Sequence, residues 1–266
     1  MRILLVVLFF LLSYAIKAQE LFVFTEPASN MAAKSVGVRL NNMLMKNRHT
    51  GNNEYHLIPE LMFGLSKKLM IHLDAFSSNA AGQFDVEGAS VYAKYRFYSI
   101  DDVHSHFRMA AFGRYSLNNS LLHDAAINLY GNNSGYEGGV VATQLINKVA
   151  LSANASVVHA LDNGKNIFGK DFRNAFNYSF SIGKLMLPTD YTSYKQTNVN
   201  LMVELLGQTN LGRKFSYLDM APSLQFIFNS RARVDLGYRF PIVDKFYKAM
   251  ENTFLLRLEY NFFNVY

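Results

Sequence analysis

From about residue 34 to its end, the chain alternates apolar and polar side chains with a period of two. Twelve runs show the pattern, and the last places Phe254, Leu256, Leu258, Tyr260 and Phe262 at every second position. Successive side chains of a β-strand point to opposite faces, so these runs predict strands with one apolar and one polar face. The sixth run is the least regular, and we assign Val141 and Leu145 to its apolar face. The sequence therefore predicts an all-β chain.

Charged residues in these runs lie almost entirely on the polar face, with Arg39, Glu60 and Asp74 as examples, and the nearest exceptions, Lys184 and Lys195, are at strand ends. A charge that faces lipid near the bilayer centre costs about 2–4 kcal/mol, so one-sided segregation is typical of membrane barrels. Beyond residue 18, no segment has the roughly 18 uninterrupted apolar residues of a membrane helix, and a spanning chain without helices must close into a barrel. We predict an antiparallel transmembrane β-barrel of about twelve strands. A soluble two-sheet protein also alternates, but twelve such runs would demand a very large core.

The N-terminus has the features of an export signal. Arg2 is followed by an almost wholly apolar stretch, 3–16, and by the small residue Ala18. We predict a cleaved signal peptide at 1–18, with an uncleaved anchor helix as the alternative. A periplasmic segment, 19–33, follows and either plugs the barrel or stays mobile, and the barrel itself covers 34–266. The chain contains no cysteine, which excludes disulfides and thiolate metal sites. Its net charge of +6 does not by itself indicate a nucleic-acid partner.

The connections between runs alternate between short and long. Short turns, such as 66–68 and 147–148, contrast with long polar stretches, such as 117–135 and 161–172. Outer-membrane barrels have tight periplasmic turns and long outer loops. With an even number of strands, this pattern predicts that both termini lie on the periplasmic side.

The last run ends in an aromatic residue, Tyr266, in phase with Phe262. This ending resembles the C-terminal signal of outer-membrane barrels, and the resemblance implies two partners, the lipid bilayer and the barrel-assembly machinery. Together with Lys17-Ala18-Gln19 and the abundance of Tyr, Phe and Asn, it resembles outer-membrane barrel proteins of the Bacteroidota. That implies a Gram-negative outer-membrane location. The segment 25–31, TEPASNM, resembles the opening of a group of such proteins without a settled role, and it carries over no catalytic residue.

Basic and acidic side chains share the predicted lumen face. The basic positions are Lys94, Arg96, Arg108, Arg114, Arg231, Arg233, Arg239 and Arg257. The acidic positions are Glu60, Asp74, Glu204, Asp219, Asp235 and Glu259. Rings of unpaired Arg and Lys favour the passage of anions. In the alternative arrangement, Arg–carboxylate pairs fill the lumen.

Methionine and histidine also occur on the lumen face of the first three runs. If the turn at 66–68 is tight, Met62 faces His72 and Glu60 faces Asp74. Thioether and imidazole ligands select Cu(I) and similar soft ions. The candidate ligands are Met43, Met45, His56, Met62, Met70 and His72. The alternative is that the methionines fill irregular gaps and that no metal or other cofactor binds.

Three classes of function remain. The first is a channel or transporter for small solutes, such as anions or soft metal ions, and the second is a structural or partner-binding barrel with a charge-filled lumen. The third, a barrel enzyme that hydrolyses lipid or peptide, needs an activated nucleophile such as a Ser/His pair. Ser156 and His159 are three residues apart, and an odd separation in a strand puts them on opposite faces. We therefore predict no enzyme activity.

Overall fold

The computed structural model describes residues 22–48, 51–102, 105–120, 124–161, 172–190, 193, 195–245, 248 and 250–266. The predicted signal peptide at 1–18 lies outside this range. The described residues form twelve β-strands, and none of their helical segments is long and apolar enough to cross a bilayer. The strands are β1 (Ser35–Asn47), β2 (Asn53–Gly64), β3 (Leu69–Ser78), β4 (Asp85–Asp101), β5 (Ser105–Asn118), β6 (Gly135–Ile146), β7 (Val149–Ala160), β8 (Asn174–Leu187), β9 (Asn198–Asn210), β10 (Ser216–Phe228), β11 (Ala232–Asp244) and β12 (Met250–Phe263).

The strands close into one antiparallel barrel in which every strand pairs with its neighbours in the chain. The barrel closes where β1 pairs with β12, so that Arg39 has Glu259 on one side and Glu60 of β2 on the other. Closure leaves no strand with an unpaired edge, and this allows strands to exist in a membrane. The prediction of a twelve-stranded antiparallel barrel is confirmed.

The two faces of the barrel differ as the alternation predicts. Leu40 and its cross-strand partner Leu258 point outward with about 40% of their surface exposed, whereas Arg39, the residue before Leu40, is 2% exposed in the lumen. Strand β6 is an exception, because Val141 packs against Ala28 inside the lumen while Val140 faces outward. The outward assignment of Val141 and Leu145 was wrong. Three glycines and two adjacent valines leave this strand with no clear alternation.

The register of the hairpin between β2 and β3 follows the prediction from its tight turn. Met62 pairs with His72, and Glu60 pairs with Asp74. The ladder between these strands is interrupted at Pro59, which has no N–H group to donate to β3. The predicted juxtaposition of methionine and histidine on one wall is therefore confirmed for this pair.

We call the end of the barrel that carries Ser35 and Phe263 the turn end and the opposite end the loop end. The loop end carries the long links 119–134 and 161–173, but its links 48–52, 211–215 and 245–249 are short. At the turn end, the link 188–197 is longer than these three. The asymmetry is weaker than the sequence pattern indicated because the strands extend into stretches that we assigned to loops. The orientation in the membrane stays a prediction.

The C-terminus departs from the predicted continuous strand. Strand β12 ends at Phe263, and Asn264 has a left-handed φ of 57°, which breaks the extended ladder. Tyr266 therefore does not continue the outer face in phase with Phe262. Its hydroxyl instead donates a hydrogen bond to the carbonyl oxygen of Gly64 (2.9 Å), across the turn end. Phe262 keeps its predicted place on the outer face, where its ring contacts Tyr260.

Candidate functional site

Residues 22–34, which we call the plug, run inside the barrel rather than below it. Phe22 and Val23 are 1% exposed and pack in an apolar cluster with Met43, Ile58 and Met202 of the lumen wall. The sequence left open whether this segment fills the lumen or stays mobile. From residue 22 onward, the segment fills the half of the lumen nearer the turn end, which we call the turn half; the other half is the loop half. The plug is therefore part of the barrel's interior.

One buried carboxylate, Glu204 at the middle of β9, holds the tip of the plug. Its Oε1 accepts hydrogen bonds from the backbone N–H groups of Val23 (2.9 Å) and Phe24 (2.8 Å). Its Oε2 accepts from the backbone N–H of Thr25 (2.9 Å) and from the Thr25 hydroxyl (2.7 Å). Glu204 is fully buried, and hydrogen bonds to a charged acceptor are about twice as strong as neutral ones.

A buried ammonium group, Lys94 on β4, holds the next turn of the plug. Its Nζ donates to the carbonyl oxygens of Pro27 (2.6 Å) and Ser29 (2.9 Å) and lies 3.5 Å from Glu26. Burial raises the pKa of the Glu26 carboxyl, but Lys94 and Arg39 outweigh this effect and lower the pKa to about 2. Glu26 is therefore ionised in the plug at neutral pH.

A network of ion pairs surrounds the plug on strands β1, β2, β11 and β12. Arg39 contacts three carboxylates, Glu26 (3.0 Å), Glu60 (3.0 Å) and Glu259 (2.8 Å). The network continues through Arg233, which pairs with Glu259 (3.1 Å) and Asp235 (3.0 Å). Arg257 lies 3.6 Å from Asp235. These basic side chains are paired, as in the charge-filled alternative, and do not form a free cationic ring.

The remaining predicted basic residues occupy different places. Arg114 pairs with Asp74 (2.6 Å) inside the lumen. Arg108 sits near the turn end, where it pairs with Asp101 (2.6 Å) and donates to the Ser29 hydroxyl of the plug (3.0 Å). Arg96 donates to the carbonyl oxygen of Lys67 at the same rim. Arg231 does not belong to the lumen, because it is an exposed residue of the turn before β11.

A second segment, residues 124–134, enters the lumen from the loop end, and we call it the lumen loop. Gln208 of β9 holds it by two 2.8 Å hydrogen bonds, donating to the carbonyl oxygen of Ile127 and accepting from its N–H. The Tyr130 hydroxyl accepts from Asn41 (2.7 Å) and lies 3.2 Å from Glu60. The plug and the lumen loop thus approach the same ion-pair network from opposite ends.

A cavity of about 300 Å³ remains between the plug and the lumen loop. One wall carries Asp219, which is bound by Arg239 (2.7 Å) and by Lys248 (2.5 Å). Lys248 also lies over the ring of Tyr217, 4.2 Å from its centroid. Glu137, Asn154, Asn177 and Gln208 line the other side, and Thr25 and Glu26 form part of the floor. The cavity can therefore hold a small polar solute against charged, amide and aromatic groups.

All six predicted soft-metal ligands belong to the lumen wall, but they form two groups. Met43 pairs with His56 on β1 and β2, and Met62 pairs with His72 on β2 and β3. Met45 accompanies the first group and Met70 the second. Glu26, Glu60 and His72 also present ligand atoms within 4.8 Å of one another, but both carboxylates are already engaged by Arg39.

Ser156 and His159 lie on opposite faces of β7, as expected. Ser156 donates to Glu137 inside the lumen, whereas His159 is on the outer face, 2.7 Å from Asn174 and stacked on Tyr136. The two side chains cannot act together as a nucleophile and its base.

Sequence reasoning missed the groups that close the lumen, namely Thr25, Glu26, Tyr130, Gln208 and Lys248. One signal was available, because the link 119–134 contains the large apolar residues Leu121, Leu122, Ile127, Leu129 and Tyr130. Apolar residues clustered in a long loop indicate that the loop packs against something. The alternation with a period of two describes only strands, so it could not predict where the plug and the lumen loop lie.

Comparison with known proteins shows similarity in structure alone. No family model and no curated protein matches the sequence. An outer membrane channel from Pseudomonas putida F1 superimposes with a TM-score of 0.58 and 11% identity, covering 91% of this chain and 100% of that one. A NanC porin gives a TM-score of 0.51 and 12% identity, covering 85% and 98%. The chain therefore has the fold of outer-membrane porins, and a link to the Bacteroidota stays a prediction.

Proposed function

We propose that this barrel is a channel for small polar solutes that is closed, in the conformation described, by the plug. The observation that carries the proposal is the way in which the lumen is filled. Residues 22–34 are not part of the β-sheet and are held by side chains such as Glu204 and Lys94, so they can leave without breaking a strand ladder. The porin fold supports the same conclusion at the level of architecture.

The cavity at the loop half supports a solute pathway. It borders the plug directly at Phe24, Thr25 and Glu26, so displacement of these residues would extend it toward the turn end. Its charged groups are mixed in sign, with Arg239 and Lys248 near Asp219 and with Glu137 on another strand. Such a lining supports the passage of polar solutes in general rather than of anions alone.

Removal of the plug tests the proposal. The mature chain without residues 22–33 should conduct continuously in planar bilayers, whereas the intact chain should show mostly closed intervals. Heat-dependent migration on gels verifies that both chains fold. Two folded chains that both remain electrically silent would contradict the channel. That result would favour the second candidate function, a structural or partner-binding barrel. The ion-pair network across the lumen is the observation that supports this candidate.

We further propose that the barrel lies in the outer membrane with its turn end toward the periplasm, where Phe262 on the last strand presents an aromatic group to the assembly machinery. The apolar outer face and the predicted leader support this location. Single cysteines at two exposed positions, Gln83→Cys at the loop end and Lys67→Cys at the turn end, test the orientation in a chain without native cysteine. An impermeant maleimide should label only Gln83→Cys on intact cells, and labelling of Lys67→Cys alone would reverse the orientation.

A further inference from the structure

We propose that the lumen wall of β1–β3, in the turn half, binds one soft monovalent metal ion, Cu(I) or Ag(I). The imidazole of His72 and the thioethers of Met62, Met70 and Met31 would provide the ligands. The inference does not depend on channel activity, since three of the four ligands belong to the barrel wall and only Met31 belongs to the plug.

His72 is held in the orientation of a metal ligand. Its Nδ1 lies 2.6 Å from Oε1 of Glu60, so in the neutral imidazole this nitrogen donates a hydrogen bond to the carboxylate and Nε2 carries the lone pair. The side chain is 1% exposed, and Nε2 has no hydrogen-bond partner among the described residues. A buried polar atom is normally satisfied, and a ligating histidine usually donates its other nitrogen to a carboxylate. A metal ion at Nε2 would meet both expectations.

Two thioethers belong to the same patch of wall. Met62 is the direct cross-strand partner of His72, which places their Cβ atoms about 4.5–5.5 Å apart. Met70 precedes His72 by two residues on β3 and therefore shares its face. Met62 and Met70 are 1% and 0% exposed. Thioethers offer little to hard ions but bind Cu(I) well.

The plug adds a third methionine over two glycines of the wall. The methyl carbons of Met62 and Met31 lie 2.5 Å and 3.4 Å from the position that a Cβ on Gly37 would occupy. Met31 Cγ lies 2.9 Å from the corresponding position on Gly64, which is the cross-strand partner of Met70. The absence of a side chain at Gly37 therefore makes room for Met31 and Met62 to meet on this wall, and Gly64 makes room for Met31 beside the strand position of Met70.

The surrounding charges favour a monovalent ion. Arg39 and Lys94 face this region, and together with Arg233, which pairs with Glu259, they balance the three carboxylates of Glu26, Glu60 and Glu259. The proposed ligands are all neutral, so Cu(I) adds one charge to a balanced site, whereas Zn(II) would add two and would have to compete with Arg39 for the carboxylates. The soft, neutral ligand set and the charge balance thus select the same class of ion.

The mature full-length chain in detergent micelles should bind one Ag(I) per chain by calorimetric titration, and one Cu(I) under anaerobic conditions in competition with a chromophoric chelator. The double variant Met62→Leu/His72→Gln should lower the affinity by more than about 100-fold, since second-shell changes alone lower metal affinity by about 10–100-fold. Leucine conserves the volume of methionine, and glutamine keeps a donor for Glu60. The matched control is Met43→Leu/His56→Gln, which changes the other Met–His pair and should leave binding unchanged.

Unchanged Ag(I) affinity in the Met62→Leu/His72→Gln variant would overturn the proposal. So would Zn(II) binding that is tighter than Ag(I) binding and insensitive to Met62→Leu, because that result would indicate a carboxylate site. X-ray absorption on the metal-loaded wild type gives a measurement that does not depend on whether a variant folds. Sulfur neighbours of the metal are expected, and a shell of oxygen and nitrogen alone would contradict the site. Conductance is measured separately, so either proposal can fail without the other.

Discussion

Replacing Glu204 with leucine should release the plug and convert a mostly closed barrel into one that conducts continuously. The carboxylate accepts three backbone N–H groups and one hydroxyl from Val23, Phe24 and Thr25. Without it, one buried N–H group, that of Val23, and two part-buried N–H groups lose their acceptor, and leaving a buried donor unpaired costs about 1–3 kcal/mol. The barrel ladders do not involve this side chain, so the cost falls on the position of the plug.

Single-channel recordings in planar bilayers measure the effect as the fraction of time spent open. Glu204→Gln is the matched control, because its amide oxygen still accepts hydrogen bonds but carries no charge, and we expect an intermediate open fraction. A cysteine placed at Val23 gives a second measurement in this cysteine-free chain, since it should react with maleimide only when the plug has left the lumen. A Glu204→Leu barrel that stays closed, with the Val23 position still protected, would show that other contacts hold the plug.

Replacing Arg39 with methionine should lower the free energy of unfolding by about 3–5 kcal/mol, which is typical when one partner of a buried ion-pair network is removed. Arg39 is 2% exposed and contacts Glu26, Glu60 and Glu259. Its loss leaves these three carboxylates with too little compensating charge in a buried region. Urea unfolding in detergent micelles, followed by gel mobility, measures the change.

Arg231→Met is the matched control for this second prediction. Arg231 carries the same charge but is exposed in the turn before β11, where a substitution usually changes stability by less than about 0.5 kcal/mol. Arg39→Lys should fall between wild type and Arg39→Met, because a single ammonium keeps the charge but cannot reach three carboxylates at once. Equal unfolding of Arg39→Met and wild type would mean that the network contributes no net stability.

The barrel could be predicted from the sequence because a closed sheet in a membrane imposes its pattern on every strand. Each strand position faces either lipid or the lumen, and the residue type reflects the side: Leu40 is apolar and faces lipid, whereas Arg39 is charged and faces the lumen. The tight turn at 66–68 also fixed the register that pairs Met62 with His72. In β6, the glycines and adjacent valines removed the pattern, and the prediction for Val141 failed there.

The interior of the site could not be predicted in the same way. Side-chain parity placed Glu204 in the lumen but did not indicate that its partner is the backbone of residues 23–25. A contact between β9 and a segment some 180 residues earlier depends on how an irregular chain folds inside the barrel, and no periodicity reports on that. The same limit applies to Gln208 and the lumen loop. Apart from Arg231, which is exposed in a turn, the charged positions were thus assigned to the lumen side, whereas their partners were not predicted.

Glu204 and Lys94 hold the plug mainly through hydrogen bonds to its backbone. Glu204 accepts from three consecutive peptide N–H groups, and Lys94 donates to two peptide carbonyls. Every residue has a backbone carbonyl oxygen, and every residue except proline has a backbone N–H group. These hydrogen bonds therefore do not depend on which side chains the plug carries. Plug residues whose side chains make no specific contact can therefore change without loss of these backbone hydrogen bonds, whereas Phe22, Thr25 and Glu26 also dock through their side chains. For protein engineering, this means that the same barrel can accept plug segments that differ in sequence.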